Sequence, residues 1–159
     1  MRAGYHTACV GGVGFFNRRS ALGSVLPDLF AESHWEPDFG VTNMDSTRCQ
    51  VDRVEQITRT APPGPLFVFL NVSALHQPNR HYVPGAPVDS PTTQAAALSY
   101  VDSQVPRLLR AMVSRGRPCF AIVCSDHGTA YGEDGHTGHR LAHESVWTVP
   151  YAHFEVPGA

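Results

Sequence analysis

Between residues 121 and 150 the chain reads AIVCSDHGTAYGEDGHTGHRLAHESVWTVP. Asp126, His127, His136, His139 and His143 crowd together behind one apolar run, placing four of the nine histidines in a single loop. A hard carboxylate oxygen beside an imidazole suits Zn²⁺ or Mn²⁺, with Mg²⁺ and Ca²⁺ as further candidates. Neighbouring side chains on an extended strand point to opposite faces, so Asp126 and His127 can hold one ion only where the strand has ended. Gly128 lets the chain turn away at that place. A helix-capping Asp beside a solvated His is the competing reading, and SDHG by itself leaves the two level. His136, His139 and His143 have i, i+3, i+7 spacing, which one helical face would share. Gly135 and Gly138 argue against a regular helix there, so one or two of the three at most are expected as ligands.

His76 and His81 form a second group, in LHQPNRH, where Pro78 stiffens the loop. For these two a structural hydrogen bond and a catalytic role compete. His6, His34 and His153 stand apart and read as structural or surface residues. Asn71-Val72-Ser73 matches a glycosylation sequon but closes a buried strand, and is set aside. Gly11, Gly12 and Gly14 imitate a nucleotide-binding turn without the full GxGxxG spacing, so they read as a tight turn.

Something rigid must position those side chains. Three continuous apolar runs, residues 7–10, 66–72 (LFVFLNV) and 119–124 (CFAIVC), read as strands buried on both faces by flanking helices. Between them LPDLFAES reads as a short helix with Pro27 in its first turn. Residues 47–60 carry Val51, Val54 and Ile57 at helical spacing, and residues 93–115 form a longer amphipathic pattern. Pro106 should kink or split that second helix. The order implies an α/β fold with a mostly parallel central sheet flanked by helices. Ligands of open α/β sheets bind beyond the carboxyl ends of the strands. By that rule the two histidine-bearing loops face one crevice.

Composition narrows the function classes. The chain has 159 residues, 42% hydrophobic and 16% charged, enough for one globular domain. A net charge of −2 supplies no basic footprint for nucleic acid or anionic lipid. No apolar stretch approaches the roughly 20 residues that span a bilayer. Neither nucleic acid nor membrane is therefore expected as a partner. All twelve cationic side chains are arginine, which suggests a GC-rich genome. Cys9, Cys49, Cys119 and Cys124 fit no metal-binding spacing, and three of them sit in apolar runs. They read as reduced residues, mostly buried, and with no signal-peptide pattern at the start they point to a cytoplasmic protein.

SDHGTAYGEDGHTGHRLAHESVWTVP resembles the alkaline phosphatase superfamily, especially its sulfatase-like branch. There a strand is followed by SDHG, a GEHG-like stretch, a Gly-Lys or Gly-His pair and a segment ending in VP. The counterparts are residues 125–128, 132–135, Gly138-His139 and Val149-Pro150. GYHTACVGG resembles the branch's GYxTxxxGK strand, and FVFLNVSALHQP its strand ending in a His-x-Pro loop. The helix with Tyr100, Val101 and Asp102 also has a counterpart. More narrowly, the chain resembles a group of largely uncharacterised bacterial metalloenzyme-domain hydrolases.

The resemblance implies an alkaline-phosphatase-like fold and hydrolysis or transfer of a phosphate ester, with sulfate second. It implies Asp126 and His127 as metal ligands, with His143 near the place of another ligand in two-metal members. His139 stands where sulfatases put a lysine that holds the oxyanion, and His76 matches a substrate-contacting His; these are the catalytic candidates. His81 and Arg140 are the substrate-binding candidates for a small phosphate or sulfate ester. The nucleophile and remaining metal carboxylates of the family lie upstream of the GYxT strand. Residues 1–159 are thus expected to form a single domain lacking its N-terminal part, its first strand left as an open edge that invites homo-oligomers. Gly11-Gly12-Val13-Gly14 lacks the Lys and His of the sulfatase GKWH stretch, and Asp134 replaces the His of GEHG. A truncated, inactive domain that keeps a partial metal site for binding or assembly is the alternative.

Overall fold

A computed structural model describes residues 3–158. Its centre is a three-stranded parallel sheet of β1 (His6–Val10), β2 (Glu32–His34) and β3 (Leu66–Leu70), in the order β2-β1-β3. Ala8 pairs with Glu32 on one side and Val68 on the other. The strand expected as an open edge, β1, is therefore the middle one. β2 was not legible: Glu32, Ser33 and His34 carry no apolar run, and LPDLFAES divides between a 3-10 turn over Pro27–Leu29 and this strand. A separate short helix, α1 (Ala21–Val25), is capped by Ser20, whose hydroxyl accepts from the Gly23 amide.

Two long helices cover one face. In α2 (Ser46–Thr60), Gln50, Val51, Val54, Ile57 and Thr58 are buried, the spacing of one helical stripe. Val54 and Ile57 meet Ala8, Val10 and Phe39 in the core, with Leu66, Val68, Leu108 and Met112 packed around them. α3 (Pro91–Val113) opens with Pro91 after an N-capping Ser90, which exchanges hydrogen bonds with Thr93 in a capping box. It continues through Pro106 without a break. Arg107 clamps the helices together, its Nε and Nη2 donating to the two Glu55 oxygens at 2.6 and 2.7 Å, with Asp52 also 2.6 Å from Nη2.

The third apolar run departs from expectation. It forms β4 (Cys119–Cys124), which joins no parallel sheet but pairs antiparallel with β7 (Tyr151–Val156). Far from being buried on both faces, it leaves Phe120, Ile122 and Val123 exposed. Of the cysteines, all free, Cys9 is buried and Cys124 exposed. Burial pushes the Cys9 thiol up to about 11, against a small opposing pull from Arg18. A small antiparallel pair, β5 (Ala130–Tyr131) with β6 (Thr137–Gly138), and the short helix α4 (Glu144–Trp147) complete the chain. Among the described residues no helix is long and apolar enough to cross a membrane.

Candidate active site

β3 and β4 each end in a loop, and the two loops meet. Asn79, fully buried after β3, joins them. Its Nδ2 donates to Tyr131 Oη at 3.1 Å and to Gln94 Oε1, and its Oδ1 accepts from Thr93 Oγ1 at 2.5 Å. Tyr131 Oη in turn donates to Gln94 Oε1 at 2.9 Å, while the Asn79 amide donates to Asp89. Desolvation raises the Tyr131 phenol above its usual value, with the Asn79 and Gln77 hydrogen bonds pulling back. This buried network passed unnoticed in the sequence, where Asn79 looks like any loop residue.

The network brings His76 and His139 to 6.2 Å between ring centroids. His139 also stacks on His127 at 4.5 Å, the planes 15° apart. Three histidines from two loops thus gather where the sequence placed the crevice. Desolvation, then the charges of His127, His76 and Arg140, holds the His139 pKa below its usual 6.5, with only Asp126 pulling upward. Arg140 is exposed.

The turn that presents Asp126 and His127 is tightly specified. Ser125 Oγ donates to the His127 carbonyl at 2.6 Å, and the Gly128 amide donates to Val146 at 2.7 Å. A Cβ on Gly128 would stand 2.0 Å from the Ser145 carbonyl oxygen, so only glycine lets α4 pack here. His127 Nδ1 lies 2.8 Å from the Gly128 carbonyl, an acceptor only. The proton therefore belongs on Nδ1, and Nε2 keeps a free lone pair, the arrangement of metal-binding histidines. Nε2 is 3.9 Å from Asp126 Oδ2. A cation about 2.1 Å from each atom spans up to about 4.2 Å, so one ion reaches both. Asp126 is 86% exposed and His127 37%, leaving room for further ligands. Among the described residues no three His, Cys, Asp or Glu side chains are arranged around one ion.

The remaining candidates have other neighbours. His143 caps α4: its Nδ1 accepts from the Ser145 amide at 3.2 Å, and its Nε2 donates to Asp134 Oδ2 at 3.2 Å. Both nitrogens are engaged, and its ring partner, 5.2 Å away, is His136. Those two form their own cluster, apart from His76, His127 and His139. His81 packs on Tyr82 in a 3-10 turn, Arg80–Tyr82, with Nε2 buried and without a partner. His6 and His34 both donate to Glu32, at 2.7 and 2.9 Å, as structural residues would. Gly12 sits where a Cβ would lie 2.4 Å from the Asn71 carbonyl oxygen, so close approach of β1 to β3 explains it without a phosphate. The sequon is occupied by the fold: Asn71 Oδ1 accepts from the Val13 amide, and buried Ser73 donates to Phe39.

Comparison with known proteins agrees with this picture of the fold. The Sulfatase family matches residues 1–154. No curated protein matches. The C-terminal periplasmic domain of phosphoethanolamine transferase EptC from Campylobacter jejuni superposes with a TM-score of 0.63 at 14% identity, over 97% of this chain and 53% of that one. The C-terminal periplasmic domain of EcEptC from Escherichia coli, in complex with Zn, gives 0.66 at 14% identity, over 94% and 48%. The chain thus spans about half the length of the solved structures it matches, and identity this low speaks for the fold alone. The expectation of a cytoplasmic location is overturned by these matches, both of which are periplasmic domains. It rested on unpaired cysteines and on a missing leader pattern, and neither observation fixes a compartment.

Proposed function

We propose that this chain, which belongs to the sulfatase family, forms part of a metal-dependent enzyme acting outside the cytoplasm on a small phosphate ester. Hydrolysis of the ester and transfer of its phosphoryl-bearing group share the same site chemistry, and sulfate ranks second to phosphate. The observation that carries the reading is the setting of His127: its Nδ1 lies 2.8 Å from the Gly128 carbonyl, its Nε2 3.9 Å from Asp126 Oδ2, and two further imidazoles stand alongside. Support for phosphate comes from the solved phosphoethanolamine transferase domain from Campylobacter jejuni, and for a divalent cation from the Zn complex of the Escherichia coli domain.

Asp126 and His127 would hold the ion, Zn²⁺ or Mn²⁺. When bound, it supplies positive charge that neutralises the oxygens of the transferring group. The remaining work falls to side chains of this chain. His139, whose pKa burial and its neighbours hold below the usual 6.5, can accept a hydrogen-bonded proton or donate its N–H to an ester oxygen. His76, whose Nδ1 lies 2.5 Å from the Gln77 carbonyl, likewise has Nε2 free for the substrate. Arg140 offers an exposed guanidinium beside His139 for a charge-assisted contact.

The test has a binding arm and a turnover arm. Mn²⁺ titration followed by NMR should broaden the His127 and His139 ring signals while sparing His6, which lies at the amino end of β1. Asp126→Ala and His127→Ala should each abolish that selective broadening with the fold intact. Equal broadening of all histidines, or no change in both variants, sinks the metal assignment. For turnover, aryl phosphomonoester, phosphodiester and sulfate esters are offered with Zn²⁺ or Mn²⁺ to the protein alone and to any longer product of the same locus. If neither turns over any ester, the enzyme reading fails.

A further inference from the structure

Towards their carboxyl ends, α2 and α3 leave a cleft of about 430 Å³ between them. Ala111, buried and short, makes the space, and Arg59, Arg107 and Arg110 line it together with Glu55, Thr58 and Ser114. Three guanidiniums thus share one cleft with a single carboxylate. α2 leads into the amino end of β3 and α3 into the amino end of β4. The loops with His76 and His127 follow the carboxyl ends of those strands, so the cleft belongs to the other end of the helix–strand units.

Charge in the cleft is not balanced locally. Glu55 gives both oxygens to Arg107, at 2.6 and 2.7 Å, and Asp52 stands 2.6 Å from the same guanidinium. Arg107 is therefore fully occupied by carboxylates. Arg59 reaches Glu55 only at 4.0 Å. Arg110 has no hydrogen bond or ion pair among the described residues, although its charge and that of Arg59 add to the Arg107 contact in holding the Glu55 carboxyl below its usual value. A further guanidinium adjoins them. Arg115 follows Ser114 in the chain, donates Nη2 to the Pro62 carbonyl at 2.6 Å, and has Nη1 buried without a partner. A desolvated charge left partly unpaired is costly.

The chain's net charge of −2 conceals this segregation, because residues 103–125 carry Arg107, Arg110, Arg115 and Arg117 with no Asp or Glu. An arginine in the last turn of a helix complements the macrodipole, which accounts for Arg59 on α2 and Arg110 on α3 taken singly. It does not account for cations from both helices facing one space, where they repel one another. Nor do the hydroxyls relieve them. Thr58 and Ser114 already donate to the Glu55 and Ala111 carbonyls, at 2.9 and 2.7 Å.

We infer that this cleft binds a phosphate-bearing anion, held by Arg59 and Arg110 and separate from the site of His76, His127 and His139. A phosphate monoester brings nearly two negative charges near neutral pH, against two unmatched guanidiniums. Planar guanidiniums meet phosphate oxygens two at a time, a geometry that needs no further donor from the hydroxyls. The volume falls in the range of small-molecule sites and leaves room for the rest of an ester. The same chemistry is offered by a free phosphate ester and by a lipid headgroup. The inference rests on the helix surfaces and stands whether or not the ester reading does.

The probe is pyrophosphate, titrated into the 159-residue protein with isotope-labelled arginine and followed by NMR. EDTA is present, so that no cation at Asp126 and His127 takes part. Arg59 and Arg110 are exposed, so salt screens them and the titration is run at low ionic strength against sodium chloride of equal strength. The expected result is a saturable shift of the Arg59 and Arg110 Nε–H signals, with Arg18 and Arg19, which follow β1, unmoved. Arg59→Gln and Arg110→Gln should each weaken binding by about tenfold or more, the loss of a charge-assisted contact. Pyrophosphate should raise the urea midpoint of the parent and leave that of the double variant where it was. Sedimentation with phosphatidylcholine vesicles, with and without phosphatidylglycerol, then separates the sources. Retention on the anionic vesicles that is lost in Arg110→Gln makes the ligand a headgroup; pyrophosphate binding without such retention makes it a free ester. Unsaturable shifts spread over all the arginines, unchanged affinity in both variants, or binding to neither pyrophosphate nor vesicles overturns the inference.

Discussion

Replacing Asn79 by Ala should release the loops that follow β3 and β4 from each other. The magnitude follows from what each partner keeps. The side chain makes three hydrogen bonds, to Thr93, Gln94 and Tyr131. None of those groups is left orphaned by the truncation: Thr93 Oγ1 still has the Ser90 carbonyl, and Gln94 Oε1 still accepts from Tyr131. The loss is therefore the net value of three neutral hydrogen bonds, about 1 kcal/mol each, or about 3 kcal/mol altogether. Tyr131→Phe removes one bond to Asn79 and one to Gln94, and should cost about 2 kcal/mol. The two changes share one bond, so the double variant should lose about 1 kcal/mol less than the sum. Urea unfolding of the four proteins measures this directly, with an unchanged m-value licensing the comparison. An Asn79→Ala cost below 1 kcal/mol, or strict additivity with Tyr131→Phe, would refute the network as the joint between the loops.

Four other substitutions probe the candidate site and its support. Gly128→Ala puts a Cβ against the Ser145 carbonyl oxygen at 2.0 Å and should destabilise by about 1–3 kcal/mol as α4 is pushed away; an unchanged urea midpoint would show that the turn has slack. His139 should titrate by NMR with a midpoint below 6.5, moved up by Arg140→Ala and down by Asp126→Asn. Because its folded pKa is depressed, the unfolded chain takes the proton first: His139's contribution to stability is full above about pH 6.5, shrinks as pH falls to the folded pKa, and is flat below that. A midpoint at or above 6.5 contradicts the packing of the three rings. Arg107→Lys should weaken the α2–α3 clamp, since lysine cannot make the two-pronged contact with Glu55. The Arg107 hydrogen bonds hold the Glu55 carboxyl below its usual 4.5, so this stabilisation is in place above about pH 4.5 and lost as pH falls through the folded value. The variant should unfold at higher pH in an acid titration, and an unmoved acid limb would count against the clamp.

What the sequence made legible divides along physical lines. The helix at 46–60 and the runs of β3 and β4 are visible because burial imposes a period or a block of apolar residues on them. β2 is three residues long and polar, and β7 reads YAHFEV, so neither carries that imprint. The length of α3 also misled: Pro106 looked like a breakpoint, yet the helix passes through it unbroken. At the candidate site, residue type singles out Asp126 and His127, the family resemblance adds roles for His139 and His76, and the structure brings the four near one another. His143 has the right type and the wrong neighbours, because its job as the cap of α4 uses both nitrogens. Asn79, which does most to join the loops, gave no signal, since a buried hydrogen-bond hub is defined by its surroundings and not by its letter.

One misreading carries more information than the correct ones. The CFAIVC run predicts a strand buried on both faces, and instead it lies open. Propensity and burial conflict here, and a sequence shaped to fold consistently rarely tolerates such a conflict without a reason. The same conflict recurs on β3, where Phe67 is exposed, whereas on β7 the exposed Tyr151 and Phe154 alternate with His153 and Glu155. On β3 and β4 the exposure falls on strands without a single charged residue, whose side chains are poorly suited to water.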